Sequence, residues 1–134
     1  MYILVTGTAG LLGSKFTEWL PGNLKDVIIV GIDDLSGGYL ENVPDKTEFF
    51  NISLNNYKKV EEIFQSYKFD YIFHFAAYAA EGLSPFIRKF NYNNNLLITT
   101  NLINMSIKYK IKRFIFTSTM AVYGKGKTPF DEDN

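Results

Sequence analysis

Apolar positions recur along this chain in two alternating rhythms. Residues 2–6, 26–32, 47–52, 70–77 and 113–117 form short apolar runs of strand character. The run 70–77 is nearly continuous, as expected of a strand covered on both faces. Between these runs the spacing changes to that of a helix. Leu11, Leu12, Phe16, Trp19 and Leu20 predict a first helix that Pro21-Gly22 should stop. Tyr57, Val60, Ile63, Phe64 and Tyr67 mark one face of a second, with Asn55 or Asn56 available as its cap. Ser84 is placed to cap a long helix over 85–109 with proline at its first position and Ile98, Leu102, Met105 and Tyr109 on one face. The run Asn91-Tyr92-Asn93-Asn94-Asn95 is unusual in such a helix, because asparagine is a poor helix former. One of its amides is expected to do a polar job under the sheet edge.

Strands alternating with helices predict right-handed parallel crossovers. The expected fold class is α/β, a doubly wound parallel sheet in strand order 3-2-1-4-5, with the chain breaking off after its fifth strand. No internal repeat or low-complexity segment interrupts it.

Composition narrows the setting. At 134 residues, 46% of them hydrophobic and 16% aromatic, the chain is expected to be one soluble domain with a real core. Fourteen basic residues balance fourteen acidic ones, so no net field draws it to nucleic acid or an anionic membrane. No apolar run approaches the roughly 20 residues that a transmembrane helix needs, and a cytoplasmic location is expected. The absence of cysteine excludes thiolate catalysis and disulfides, and a single histidine, His74, argues against a histidine-rich metal site. No metal is expected.

The chemistry concentrates where the first strand meets the first helix. Gly7-Thr8-Ala9-Gly10-Leu11-Leu12-Gly13 has GxxGxxG spacing, one residue longer in its first gap than the dinucleotide fingerprint GxGxxG. Gly7 permits the turn off the strand, Gly10 lets backbone N–H groups approach a pyrophosphate, and Gly13 lets the helix pack on the sheet. The positive end of the helix dipole then faces the phosphates. Asp33 lies 20 positions after Gly13 at the end of an apolar run, where a carboxylate can accept both hydroxyls of an adenosine ribose. The turn-forming loop Asp34-Leu35-Ser36-Gly37-Gly38-Tyr39 follows, set beside the adenosine by the placement of Asp33.

Other candidates sit at carboxyl ends of strands, where ligands lie in an open parallel sheet. Ala76 and Ala77 leave space there, unless they simply start a loop. His74 falls inside its strand and reads as a satisfied core residue rather than a base. Thr117, Ser118 and Thr119 place hydroxyls after the fifth strand.

Together these residues resemble the extended short-chain dehydrogenase/reductase family, in particular its NAD-dependent epimerase/dehydratase branch acting on nucleotide sugars. The resemblance rests on Thr6 to Gly13, on Asp33-Asp34-Leu35-Ser36-Gly37, on His74-Phe75-Ala76-Ala77, on Asn95 with Asn101-Leu102-Ile103, and on residues 116–124 (FTSTMAVYG). It implies a Rossmann-type NAD-binding domain over residues 1–134. Gly7, Gly10 and Leu11 would meet the pyrophosphate, Asp33 the ribose, and Ser36 and Gly37 its neighbourhood, with Asn51 and Ile52 framing the adenine. Phe75, Ala76, Ala77 and Ala79 would line the path to the nicotinamide, Asn95 would hold the backbone around it, and Thr117 and Ser118 would approach its ribose. Thr119 falls on the catalytic Ser/Thr, whose hydroxyl hydrogen-bonds the reacting sugar oxygen; the bland reading of such a threonine is a local cap. The implied reaction is reversible hydride transfer between a sugar carbon and NAD, through a transient keto sugar.

Asp34 beside Asp33 would repel a 2′-phosphate, which favours NAD over NADP. Asn51 stands where the family often has Asp. Met120-Ala121 stands where dehydratases carry Asp-Glu, which argues for an epimerase or a reductase. The family's YxxxK helix supplies a tyrosine base, and Tyr123 and Lys127 show that spacing, but Gly124, Gly126 and Pro129 oppose a helix there. The chain is therefore expected to be the amino-terminal portion of a longer enzyme whose carboxyl-terminal part binds the nucleotide diphosphate sugar, and to be inactive alone. A stand-alone NAD-binding module is the alternative, and a homodimer is possible.

Overall fold

The computed structural model describes residues 1–126 and 128–133. Its centre is one parallel sheet of β1 (Tyr2–Thr6), β2 (Ile28–Asp33), β3 (Thr47–Asn51), β4 (Tyr71–His74) and β5 (Arg113–Phe116), in the order β3-β2-β1-β4-β5. The expected order is observed. The register aligns Thr6 with Ile32 and with His74, so the carboxyl ends of the three central strands lie side by side. Asp70 fixes the other end of that alignment. Its carboxylate accepts from the Tyr2 N–H, its own N–H donates to the Tyr2 carbonyl, and its carbonyl accepts from the Lys112 N–H. The Lys112 ammonium, 2.6 Å away, and the Tyr2 N–H hold the Asp70 carboxyl below its ordinary pKa.

Helices cover both faces. On one, α2 (Tyr57–Ser66) and α4 (Ile98–Lys108) bury Val60, Ile63, Phe64, Ile98, Leu102 and Met105 against Leu4, Val30, Ile32 and Ile72. Asn56 caps α2, its side-chain oxygen accepting from the Lys59 N–H at 3.2 Å. On the other face, α1 (Leu11–Asn23) packs Leu20 and Phe16 on Ile3, Val5, Ile29 and Phe73. Each face removes apolar area from water at about 25 cal/mol per Å², so the sheet is held from both sides.

Two helices depart from the sequence pattern. Pro21-Gly22 does not stop α1, which continues to Asn23: Pro21 forgoes one N–H bond to the turn before it, and the last turn still closes through the Leu24 N–H to Leu20 carbonyl bond. Its buried face is Gly13, Ser14, Thr17 and Leu20, whereas Leu11, Leu12 and Trp19 are 77%, 60% and 53% exposed. Small residues face the sheet because the helix starts too close to it for large ones. The predicted helix 85–109 is three pieces: α3 (Arg88–Asn91), a π-helical segment (Tyr92–Leu97) and α4. Ser84 caps none of them, since its hydroxyl donates to the Glu81 carbonyl within a turn. Asn91 ends α3, and the rest of the asparagine run, Tyr92 to Asn95, falls in the π segment, where the regular helical bonding is interrupted.

Thr17 is 1% exposed, and its hydroxyl has no hydrogen-bond partner among the described residues. Thr17→Val keeps the shape and removes the unsatisfied group, so urea unfolding should show a gain of about 1 kcal/mol.

Candidate functional site

The β1–α1 loop is built by close contact. Gly7 continues the ladder through its N–H to the Ile32 carbonyl, then turns with φ 74°, a left-handed conformation that side chains oppose. A Cβ there would stand 2.7 Å from the Ala76 nitrogen. At Gly13 the crowding is greater, since a Cβ would fall 2.0 Å from the Gly7 carbonyl oxygen. Gly10 differs. A Cβ at position 10 would meet only that same oxygen, at 3.3 Å, and would otherwise project into open space. Gly10 is the N-cap of α1 and no side chain caps that end. The first N–H groups of the helix are therefore left for an external acceptor.

Asp33 ends β2 beside this loop. Its Oδ2 accepts from the Ala9 N–H at 3.0 Å and its Oδ1 from the Leu35 N–H at 2.8 Å. The second bond holds Leu35 at φ 59°, an uncommon conformation for a leucine. Each carboxylate oxygen retains a lone pair for a further donor. Asp34 is exposed, and its Oδ1 accepts from both the Ser36 N–H and the Ser36 hydroxyl.

One cleft collects these groups at the carboxyl edge of the sheet. Gly7, Gly10, Asp33, Asp34, Ser36, Gly37, Ile52, Phe75, Ala76 and Ala77 line it, all of them residues singled out by sequence. The lining also includes Gly38, in the loop that the sequence sets beside Asp33, and Leu54, Tyr78, Asn94 and Ile98, which sequence reasoning missed. Leu54, Tyr78 and Ile98 carry ordinary apolar patterns, and Asn94 stood out only as one member of the asparagine run. No lysine or arginine lines the cleft among the described residues.

The remaining candidates stand outside the lining. Gly13 and Leu11 lie in the first turn of α1, Gly13 buried and the Leu11 side chain exposed. Asn51 is exposed at the end of β3, in register with Asp33. Ala79 is exposed in the loop after β4, and Asn95 clamps that loop from the π segment. Its Oδ1 accepts from the Tyr78 N–H at 2.7 Å and its Nδ2 donates to the Tyr78 carbonyl at 3.0 Å. Thr117 donates its hydroxyl to the His74 carbonyl, while Ser118 is exposed. Thr119 caps a 3₁₀ turn (Met120–Tyr123), its hydroxyl oxygen accepting from the Ala121 N–H at 3.2 Å.

A nicotinamide dinucleotide fits what these residues offer: an uncapped helix end for its pyrophosphate, a glycine with room above it, and a carboxylate for its ribose. The family model described as NAD dependent epimerase/dehydratase matches residues 3–134. The chain belongs to the NAD-dependent epimerase/dehydratase family. Among curated relatives, UDP-glucose 4-epimerase of Caenorhabditis elegans is 35% identical over 92% of this chain and 39% of its own length. Among solved structures, UDP-glucose 4-epimerase of Thermus thermophilus in complex with NAD matches with a TM-score of 0.91 at 31% identity, covering 99% of this chain and 43% of that one. The Thermotoga maritima UDP-glucose 4-epimerase with UDP-glucose matches with a TM-score of 0.89 at 34% identity, over 97% and 42%. The chain thus spans about 40% of the length of the curated relatives it matches.

In members of this family the base lies on a YxxxK helix. Here Tyr123 ends the 3₁₀ turn at Gly124 (φ 63°) and stacks on Phe130 with ring centroids 5.3 Å apart. Tyr123 is therefore not on an α-helix; Lys127 lies outside the described residues.

His74, 2% exposed, is satisfied at both nitrogens, by Thr6 at 2.6 Å and Thr99 at 2.9 Å. Burial pushes its pKa down to about 4. The unfolded chain binds a proton near pH 6.5 that the folded chain refuses until about pH 4, so stability is complete above pH 6.5 and falls as the pH drops through that window. Urea unfolding at pH 5 should give a free energy about 2 kcal/mol below that at pH 7, with a flatter profile for His74→Gln.

Proposed function

We propose that this chain is the NAD-binding portion of a nucleotide-sugar 4-epimerase, with the uncapped end of α1 and the Asp33 carboxylate opening into one cleft as the observation that carries the reading. Backbone N–H groups from Leu11 onward would take the pyrophosphate, with Gly7 and Gly10 leaving room for it to approach, and Asp33, with Ser36 and Gly37 beside it, the adenosine ribose. Leu11 would contribute its N–H at the helix start, and Gly13 the close packing that aims it. Ile52 and Asn51 would border the adenine. Phe75, Ala76, Ala77 and Ala79, with Asn95 behind them, would lead toward the nicotinamide, and Thr117 and Ser118 would meet its ribose.

When bound, NAD supplies a reversible hydride acceptor for a sugar carbon. Thr119 would hold the reacting sugar oxygen; because its Oγ already accepts from Ala121, its own hydrogen is the one available to donate. Met120-Ala121 in place of an acidic pair favours epimerisation over dehydration. Names of relatives support a UDP-sugar as the substrate class. Ile103 and Ile107, 43% and 74% exposed on α4, offer an apolar contact for a second copy.

Interconversion of UDP-glucose and UDP-galactose tests the reading. The 134-residue chain should bind NAD without turning over either sugar. The longer protein that supplies the YxxxK helix should interconvert them, and failure of that protein with every UDP-sugar would refute the epimerase assignment.

A further inference from the structure

His74 lies behind the cleft wall, and the reading above gives it no task. Its hydrogen bonds can be assigned one proton at a time. The Thr99 hydroxyl donates to the Asn95 carbonyl at 2.6 Å, and a hydroxyl has a single hydrogen. Thr99 can then only accept from His74, 2.9 Å away, so Nε2 carries the proton. Burial keeps the ring neutral, which leaves Nδ1 as an acceptor, and its partner at 2.6 Å is the Thr6 hydroxyl. Thr6 Oγ1, its hydrogen spent on the ring, accepts from the Ala76 N–H at 3.3 Å.

The result is a one-way chain: Ala76 N–H to Thr6, Thr6 to His74, His74 to Thr99, Thr99 to the Asn95 carbonyl. Asn95 then returns to the starting segment, because its side-chain amide clamps both backbone groups of Tyr78. Both ends of the chain of bonds therefore grip residues 76 and 78, and Ala76, Ala77 and Tyr78 line the cleft. Phe114 and Phe116, with ring centroids 5.8 and 6.0 Å from that of His74, cover the imidazole.

We propose that His74, as the Nε2–H tautomer, is a positioning residue that closes this circuit and sets the backbone of residues 76–78 where NAD must lie against it. The proposal rests on the cleft being an NAD site. A hydroxyl or an apolar group in place of the ring could fill space, but only a group with a donor on one side and an acceptor on the other, about an imidazole apart, joins Thr6 to Thr99. A histidine that merely filled the core would leave the cofactor indifferent to its hydrogen bonds.

Two measurements test this. Long-range ¹H–¹⁵N correlation of the wild-type chain at pH 7 should show a neutral His74 with the proton on Nε2; a proton on Nδ1, or a mixture of tautomers, overturns the circuit. NAD titration of Thr99→Val, which keeps the shape but removes the link, should show affinity about tenfold weaker, with Thr99→Ser returning to within about twofold of wild type. A folded Thr99→Val with wild-type affinity sinks the positioning role while leaving the NAD site intact. No binding of NAD by the wild-type chain sinks the NAD site itself, whatever the tautomer.

Discussion

Gly13→Ala is expected to lower the stability of this chain by about 3 kcal/mol or more and to abolish NAD binding. The added carbon would stand 2.0 Å from the Gly7 carbonyl oxygen and 2.6 Å from its carbon. Both are backbone atoms, so neither can rotate away, and relief requires α1 to shift off the sheet. That shift would move the N–H groups that the pyrophosphate needs. Gly10→Ala is the instructive partner. Its Cβ meets one oxygen at 3.3 Å and otherwise open cleft, so the fold should keep nearly its full melting temperature while NAD affinity falls. Comparing the two variants by thermal unfolding with and without NAD separates the structural demand for glycine from the ligand's demand. Equal losses of stability in both would contradict the assignment of Gly10 to the cofactor.

Asp33→Ala should weaken NAD binding by about a hundredfold or more, because hydrogen bonds to a carboxylate contribute about 1.5–3 kcal/mol each and the ribose offers two hydroxyls. The effect has a second source. Asp33 also accepts from the Ala9 and Leu35 N–H groups, and without it Leu35 has no reason to stay at φ 59°. The glycine loop and the loop after β2 would both lose an anchor. Asp33→Asn keeps one acceptor oxygen and should fall between alanine and wild type in affinity. Calorimetric titration of the three proteins checks the order, and an alanine variant that binds within about threefold of wild type would remove Asp33 from the site.

Sequence pattern reached the sheet because its signals are local. Runs such as Asp70 to Ala77 are apolar enough to need cover on both faces, and a helical spacing separates β1 from β2, β3 from β4 and β4 from β5. The glycine loop was legible for the same reason: its three glycines fall within seven residues of chain, although the backbone that crowds Gly7 belongs to Phe75 and Ala76. Long-range contacts were not. Nothing in the spacing of Leu11, Leu12 and Trp19 says that they face away from the sheet, because their orientation follows from how closely Gly13 sits on Gly7. Pro21 read as a stop signal, yet α1 runs two residues past it and closes on the Leu24 N–H to Leu20 carbonyl bond, with only the bond that Pro21 cannot give forgone. The asparagine run did announce a polar task, and Asn95 performs one on Tyr78, but its partner lies 17 residues away across a loop. His74 read as a satisfied core residue, and it is one. Its two threonine partners come from β1 and from α4, which only the register brings together.

The same logic separates what this chain holds from what it lacks. In the proposed reading the phosphate and ribose would lie where backbone groups of the β1–α1 loop and Asp33 converge. In the same reading the sugar would approach Thr119, and among the described residues Tyr123 ends a 3₁₀ turn and stacks on Phe130 rather than standing on an α-helix.

Titration of the purified chain with NAD and then with NADP is the most direct test. Asp33 and Asp34 face the cleft with no lysine or arginine lining it among the described residues, so a 2′-phosphate would meet negative charge alone. NAD should bind, and NADP should bind at least about tenfold more weakly. Equal or tighter binding of NADP, or no binding of NAD, would contradict the account.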